Sequence, residues 1–232
     1  MDLAARKVAA RFLSQFVPIV GLPKKLEGVS VSLVTQIVEL QTDCVVLWHD
    51  QSIISAMDPE GSGGLVPLIL ANHEINFRLW HEEDLARDPD ATDTKIANVK
   101  RNIDRLNQRR SDAVESIDNG FAVWLSDNGV TAKTDERNTE TVGSAFDRLS
   151  ILALRVYHLR VESEREGLTQ PHRDRTESSL SVATAQQTLL AKSLQTLIDE
   201  IVAGRKRHQT FKQLKMYNDP SLNPVLYNRA GA

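Results

Sequence analysis

The chain has 232 residues, enough to bury a sizeable core as one large domain or two small ones. Its 28 basic and 31 acidic residues leave a formal charge of −3, which argues against a dedicated nucleic-acid binder with its net basic footprint. Cys44 is the sole cysteine, which removes disulfide frameworks and cysteine-based zinc sites and fits a reducing cytoplasm; no uninterrupted apolar run approaches the roughly 20 residues of a membrane span.

Residues 3–20 carry Arg6, Lys7 and Arg11, and Val8, Phe12 and Phe16 repeat every four positions. That pattern predicts a short amphipathic helix. An isolated helix of this length is marginal in water, so it is expected to dock on its own domain or on a sister subunit, which makes a homo-oligomer the expected assembly. Attachment to an anionic membrane surface is the weaker reading, because three basic residues and one short apolar face hold a bilayer only reversibly. Residues 1–27 are read as an extension and 28–232 as one helical domain.

Helical periodicity dominates from there on. Val34, Ile37, Val38, Cys44, Val45 and Trp48 recur at steps of three and four and predict a helix over 30–56. The loop DPEGSGG at 58–64 ends it. A second helix is predicted over 66–87, with Pro67 tolerated in its first turn, and a third over 95–118 after a Thr92 or Asp93 cap. The third carries Arg110 inside its apolar stripe, so this guanidinium is expected to face a buried acid. The run at 121–125 is too short to assign.

A polar interval at 126–141 precedes a fourth helix over 142–164. It is apolar around most of its circumference and so belongs at the centre of a bundle. A charged loop leads to a fifth helix over 178–203, closed by Gly204. The tail from 209 onward, with Asn218-Asp219-Pro220 and Asn223-Pro224 as turn formers, is irregular but has Tyr217, Leu222, Val225 and Tyr227 to bury. The fold class expected is all-α, a bundle of about five main helices.

The chemistry concentrates in residues 72–87, NHEINFRLWHEEDLAR. At about 100° per residue, His73, Trp80 and Arg87 fall nearly in line, with Asn76 and Glu83 beside them and Asp84 on the other flank. Polar groups on a face where a bundle helix usually places Leu must be paired, and therefore positioned.

These residues, with KRNIDRLNQRR, FDRLSILALRVYH and KMYNDPSLNP elsewhere in the chain, resemble an uncharacterised bacterial helical family, a domain of unknown function. The family pattern N-x-x-L-W-H-x-E-D-x-A-R is matched by Asn76, Leu79, Trp80, His81, Glu83, Asp84, Ala86 and Arg87; D-R-L-S-I-L is matched at 147–152 and K-M-Y-N-D-P at 215–220. Ser111 departs from the Asn expected there. The resemblance spans roughly residues 31–227 and implies a helical, intracellular bacterial protein without naming a reaction. A second uncharacterised family with similar L-W-x-x-E-D-x-x-R and D-K-L-x-I-L pieces occurs near surface-polysaccharide genes, which points toward sugar or nucleotide-sugar metabolism.

Two readings of the polar residues follow. In one, a small polar or anionic ligand, a sugar phosphate or nucleotide sugar, sits between the second, third and fourth helices. Asn76, Trp80, Asp84, Arg87, Asn107, Arg110, Asp147 and Arg148 then bind it through amide hydrogen bonds, ring stacking and guanidinium clamps, while His73 or His158 acts as general acid or base assisted by Glu83. In the other, the chain is a non-enzymatic interaction or scaffold protein. Its Glu83, Asp84 and Arg87 then pair with Arg148 and Asp147, and Arg110 closes a buried ladder that sets helix register. A metal is not expected: His73 and His81 lie about 12 Å apart along one helix axis, and neither the His-x-x-x-His nor the Glu-x-x-His spacing occurs. Any cofactor is unknown from the sequence. Cys44, inside an apolar stripe, reads as an inert buried thiol.

Overall fold

The computed structural model describes residues 32–50, 64–212, 214 and 221–224. Among them are five helices and no strand: α1 Leu33–Asp50, α2 Leu65–Ala86, α3 Asp93–Asp127, α4 Val142–Glu164 and α5 Gln170–Val202. The amphipathic segment at 3–20, the loop at 58–63 and the KMYNDP stretch lie outside the described residues. Among the described residues, no helix is long and apolar enough to cross a membrane.

The core follows the periodicity. Val34, Ile37, Leu40, Cys44 and Val45 of α1 are almost fully buried, against Ile69, Leu70 and Phe77 of α2 and Ile117 and Phe121 of α3. Phe146, Leu149 and Leu154 of α4, with Leu194 and Ile198 of α5, complete this main cluster. A smaller one, Ile75, Leu79, Val99 and Ile103, zips α2 to the first half of α3. α4 touches all four other helices, which is why it is apolar around most of its girth. Burial of the Cys44 thiol pushes its pKa up, so it is inert.

Local chemistry sets the helix ends. Thr92 caps α3 by accepting from the Lys95 N–H at 3.3 Å, and Thr141 caps α4 by accepting from Ser144 at 3.1 Å. A second acceptor reaches the α4 N-terminus from α3, where the buried Asp118 takes the Gly143 N–H at 2.6 Å. Gly204, at φ 74°, closes α5. A Cβ there would also meet the Thr131 carbonyl oxygen at 2.8 Å, because the 128–141 segment docks onto this exit through Lys133 N–H to Gly204 O at 2.9 Å and Arg207 N–H to Glu136 O at 2.7 Å.

Two boundaries differ from the sequence expectation. α3 runs on to Asp127 because Ile117, Phe121 and Leu125 continue its stripe at steps of four; Gly120 within it clears the Leu68 side chain, whose Cδ1 a Cβ would meet at 2.7 Å. α5 starts at Gln170, eight residues before 178. Pro171 occupies its first turn, where a missing N–H costs nothing, and His172 and Arg173 tie that turn to Glu162 and the Ser163 carbonyl at 2.8 Å each.

Candidate functional site

The polar row of α2 divides into two halves with different surroundings. The first four turns of α2 are buried almost all round, Asn72, His73 and Asn76 included. These three form a closed network with α4. Asp147 Oδ1 accepts from Asn72 at 3.0 Å and from Asn76 at 2.9 Å, and the same carboxylate takes a two-pronged contact from Arg110 of α3 at 2.8 and 2.5 Å. This is the buried acid expected opposite Arg110. The pairing holds the guanidinium pKa above its usual value, the hydrogen bond to Asp147 being the largest cause.

His73 extends the network to α1. Its Nε2 lies 2.9 Å from the Gln41 carbonyl oxygen, which can only accept, so Nε2 carries the proton. Nδ1 is then the acceptor for the Ser150 hydroxyl at 2.7 Å, and Ser150 Oγ in turn accepts from Asn76 at 3.0 Å. Every ring atom capable of hydrogen bonding is thus occupied with the imidazole neutral. Burial lowers the His73 pKa from 6.5 to about 4, partly opposed by the backbone hydrogen bond. His73 is therefore a packing and register residue, shut off from any ligand, and not an acid–base group. The neighbouring Gln41 amide, also fully buried, has no hydrogen-bond partner among the described residues.

Toward the C-terminal end of α2 the same face opens into a cleft of about 360 Å³. α2 contributes Asn76, Trp80, Glu83, Asp84 and Arg87; α3 contributes Asn107 and Arg110; Ile151 and Leu154 of α4 form the apolar wall. The structure thus gathers seven of the sequence-predicted site residues around one cavity. Arg87 is held by its own helix, donating to the Glu83 carbonyl at 2.6 Å and to Glu83 Oε2 at 3.2 Å. The expected ladder from Glu83, Asp84 and Arg87 across to α4 does not form. Arg148 is not part of the cleft either: it is exposed and pairs with Glu140 at 2.7 Å, since its position on α4 is turned away from α2.

Behind the Trp80 wall lies a third group. The Trp80 ring stacks on His158 with centroids 4.7 Å apart and an interplanar angle of 2°. His158 also faces His49 of α1, edge to face at 5.0 Å, and His81 of α2 at 5.9 Å. His49 stacks on Tyr157 at 4.4 Å. Burial is the main cause that lowers the pKa of both His81 and His158, the latter to about 4, and the neighbouring imidazoles add to it. His158 therefore supports the cleft from behind and does not line it.

With these arrangements in view, comparison with known proteins gives one match, over residues 67–210. The chain belongs to the family described as Protein of unknown function (DUF4254). The matched span holds α2 to α5 and with them the whole cleft, whereas α1, and the KMYNDP stretch at 215–220, fall outside it. No curated protein and no solved structure matches the chain.

The signals for Asn76, Trp80, Glu83, Asp84, Arg87, Asn107 and Arg110 were periodicity within one helix and polar residues inside an apolar stripe. Gln41, Asn72 and Ser150 escaped sequence reasoning as network members because a single amide or hydroxyl carries no pattern. A ligand set drawn from three helices leaves no spacing within any one of them; among the described residues, His49, His81 and His158 could together hold an ion.

Proposed function

We propose that this DUF4254 member is a helical-bundle protein that binds a small hydroxyl-rich ligand of the sugar class in the cleft between α2, α3 and α4. One observation carries the reading: a single cavity collects two Asn amides, an indole and two carboxylates against an apolar wall. Amides and carboxylates exchange hydrogen bonds with hydroxyls, and an indole packs on the apolar face of a sugar ring.

Between a neutral and an anionic ligand, the charge arrangement favours the neutral one. Both guanidiniums already have acids, Arg87 with Glu83 and Arg110 with Asp147, and Asp84 adds a further negative group to the lining. An anion would have to displace a carboxylate already in contact and then sit beside it. A neutral polyol, or the sugar end of a nucleotide sugar, meets no such repulsion.

The inner network supports a second, structural reading for the residues it contains. Asn72, His73, Asn76, Asp147 and Ser150 satisfy one another without a ligand, and buried networks of this kind act on helix register more than on stability. The two readings overlap only at Asn76, which lines the cleft while its NH2 group is committed to the network; the remaining residues belong to one reading each, and so the readings coexist.

Thermal-shift measurements against neutral sugars, sugar phosphates and nucleotide sugars test the proposal, since binding to the folded state raises the melting temperature by mass action. The expected result is a dose-dependent rise with neutral sugars or nucleotide sugars that is lost in Asn107→Ala and Glu83→Ala, with the ligand-free melting temperature little changed. A protein that responds to none of them, or equally to inorganic phosphate alone, refutes it.

A further inference from the structure

His49, His81 and His158 lie 32 and 77 residues apart in sequence, on α1, α2 and α4, yet one nitrogen from each falls within 4.8 Å of the others. We propose that these three imidazoles form a binding site for a divalent transition-metal ion of the zinc type, with three protein ligands and an open coordination position. It is independent of the cleft reading, because none of the three lines the cleft.

The donor set selects the ion. Neutral imidazole suits Zn²⁺, Ni²⁺, Cu²⁺ and Fe²⁺, whereas Mg²⁺ and Ca²⁺ require oxygen ligands. In a tetrahedral site with Zn–N bonds of about 2.0–2.1 Å, ligand nitrogens stand about 3.3 Å apart, so the nitrogens need close by at most about 1.5 Å. Small ring rotations supply that, and two of the rings have room for them: His49 is exposed, and the His81 side chain retains 40% of its accessible surface.

The hydrogen bond behind the His49 ring is that of a metal-ligating histidine, and His81 has a carboxylate nearby at a longer distance. Such residues donate one ring N–H to a carbonyl or carboxylate and present the other nitrogen to the ion. His49 Nδ1 donates to the Val45 carbonyl at 2.7 Å, which fixes the tautomer and leaves the Nε2 lone pair available. His81 Nδ1 has Asp84 Oδ2 at 4.0 Å behind it. His158 supplies the independent observation: its Nε2 is buried and has no hydrogen-bond partner among the described residues. A ring nitrogen removed from water and given nothing in exchange is uncompensated, and a cation shared with two adjacent lone pairs compensates it.

An aromatic cluster alone is a poor account of the same residues. Stacking on Trp80 and Tyr157 needs only a flat ring, and Phe or Tyr would supply it without the cost of three basic nitrogens facing one another. Three histidines, two of which keep solvent access, match the open type of zinc site, in which the remaining position holds water or substrate. Trp80, which stacks on His158 and lines the cleft, would stand between such an ion and a bound ligand.

The test uses the full chain without an affinity tag, stripped with a chelator and dialysed. Zn²⁺ is titrated by calorimetry, and Co²⁺ by its visible d–d absorption, which reports tetrahedral or five-coordinate nitrogen ligation. The expected result is one equivalent per chain, with the affinity lowered at least about tenfold in each of His49→Ala, His81→Ala and His158→Gln. His49 is exposed, so its variant keeps the fold even if His158→Gln does not, and circular dichroism of each metal-free variant checks this. Absence of stoichiometric binding to the parent chain overturns the proposal. So does binding that His49→Ala and His81→Ala both leave unchanged, which would place the ion elsewhere.

Discussion

His73 offers the sharpest test of how the interior of this bundle is held. The ring is wholly buried, its Nε2–H is committed to the Gln41 carbonyl and its Nδ1 accepts from Ser150. Protonating Nδ1 would bury a charge and turn the Ser150 hydroxyl hydrogen away from its only ring acceptor. The pKa falls from 6.5 in the unfolded chain to about 4 in the folded one, so between these values the unfolded chain binds more protons. Stability from this group is therefore complete above about pH 6.5 and is lost as pH falls toward 4. For one such group the linkage relation gives a loss of about 2 kcal/mol between pH 7 and pH 5. Urea unfolding at the two pH values measures it, and His73→Phe isolates it, since Phe keeps a ring against Trp48, whose centroid lies 5.1 Å away. The variant will be less stable at pH 7, having removed the ring acceptor of the Ser150 hydroxyl and the ring donor to the Gln41 carbonyl. Its stability should nevertheless fall by about 2 kcal/mol less than that of the parent on going to pH 5. Equal losses in the two proteins would refute the assignment of a neutral, network-locked imidazole.

Asp147→Ala leaves the Arg110 guanidinium and the Asn72 and Asn76 amides without their shared acceptor and should cost about 3 kcal/mol, read from denaturant midpoints. Adding Arg110→Met should recover part of that loss, and no recovery would show that the carboxylate acts alone. Gly143→Ala should destabilise by about 1–3 kcal/mol, because a Cβ there would lie 2.5 Å from the Val114 carbonyl oxygen and 2.9 Å from Asp118 Oδ1. Ala ordinarily stabilises a helix relative to Gly by about 1 kcal/mol, so a thermal melt showing a gain would mean that the α3–α4 contact yields freely.

The fold was legible wherever hydrophobic period and burial say the same thing. α1, α2 and α4 each present a dense apolar set, and their predicted and observed bounds agree within a few residues over the described chain. The errors sit where a local breaker signal competes with tertiary packing. The third helix is expected to end at 118, with the short run at 121–125 unassigned, yet Ile117, Phe121 and Leu125 keep the stripe of α3 running past Gly120, whose missing Cβ admits Leu68. Pro171 and the charges around it read as loop, yet proline in a first turn gives up nothing and Glu162 gathers the His172 ring against the end of α4.

The candidate site was half legible, and the division has a physical basis. A helix displays its own periodicity, so residues that share a face of α2 can be placed together from sequence, and those at its open end do meet in a cleft. What faces them from another helix depends on rotation about an axis that no period reveals. Asp147 and Arg148 are neighbours on α4, separated by about 100° around the helix. One points at α2 and α3 and carries the inner network, while the other points outward to Glu140. The same ambiguity hides the three imidazoles. His81 lies one position from Trp80 and so on the adjacent flank of α2, away from the row that drew attention. Only the approach of α1 and α4 on that flank brings His49 and His158 beside it. A row of chemically capable residues on one helix thus points to where polar groups gather, but which groups meet them is chosen by the helices packed on its neighbouring flank. In this chain the groups accessible to a ligand or an ion are those at the rim, Glu83, Asp84 and His81, whose ion pairs stay open to solvent, because the centre of the row is already consumed by the network that holds the helices in place.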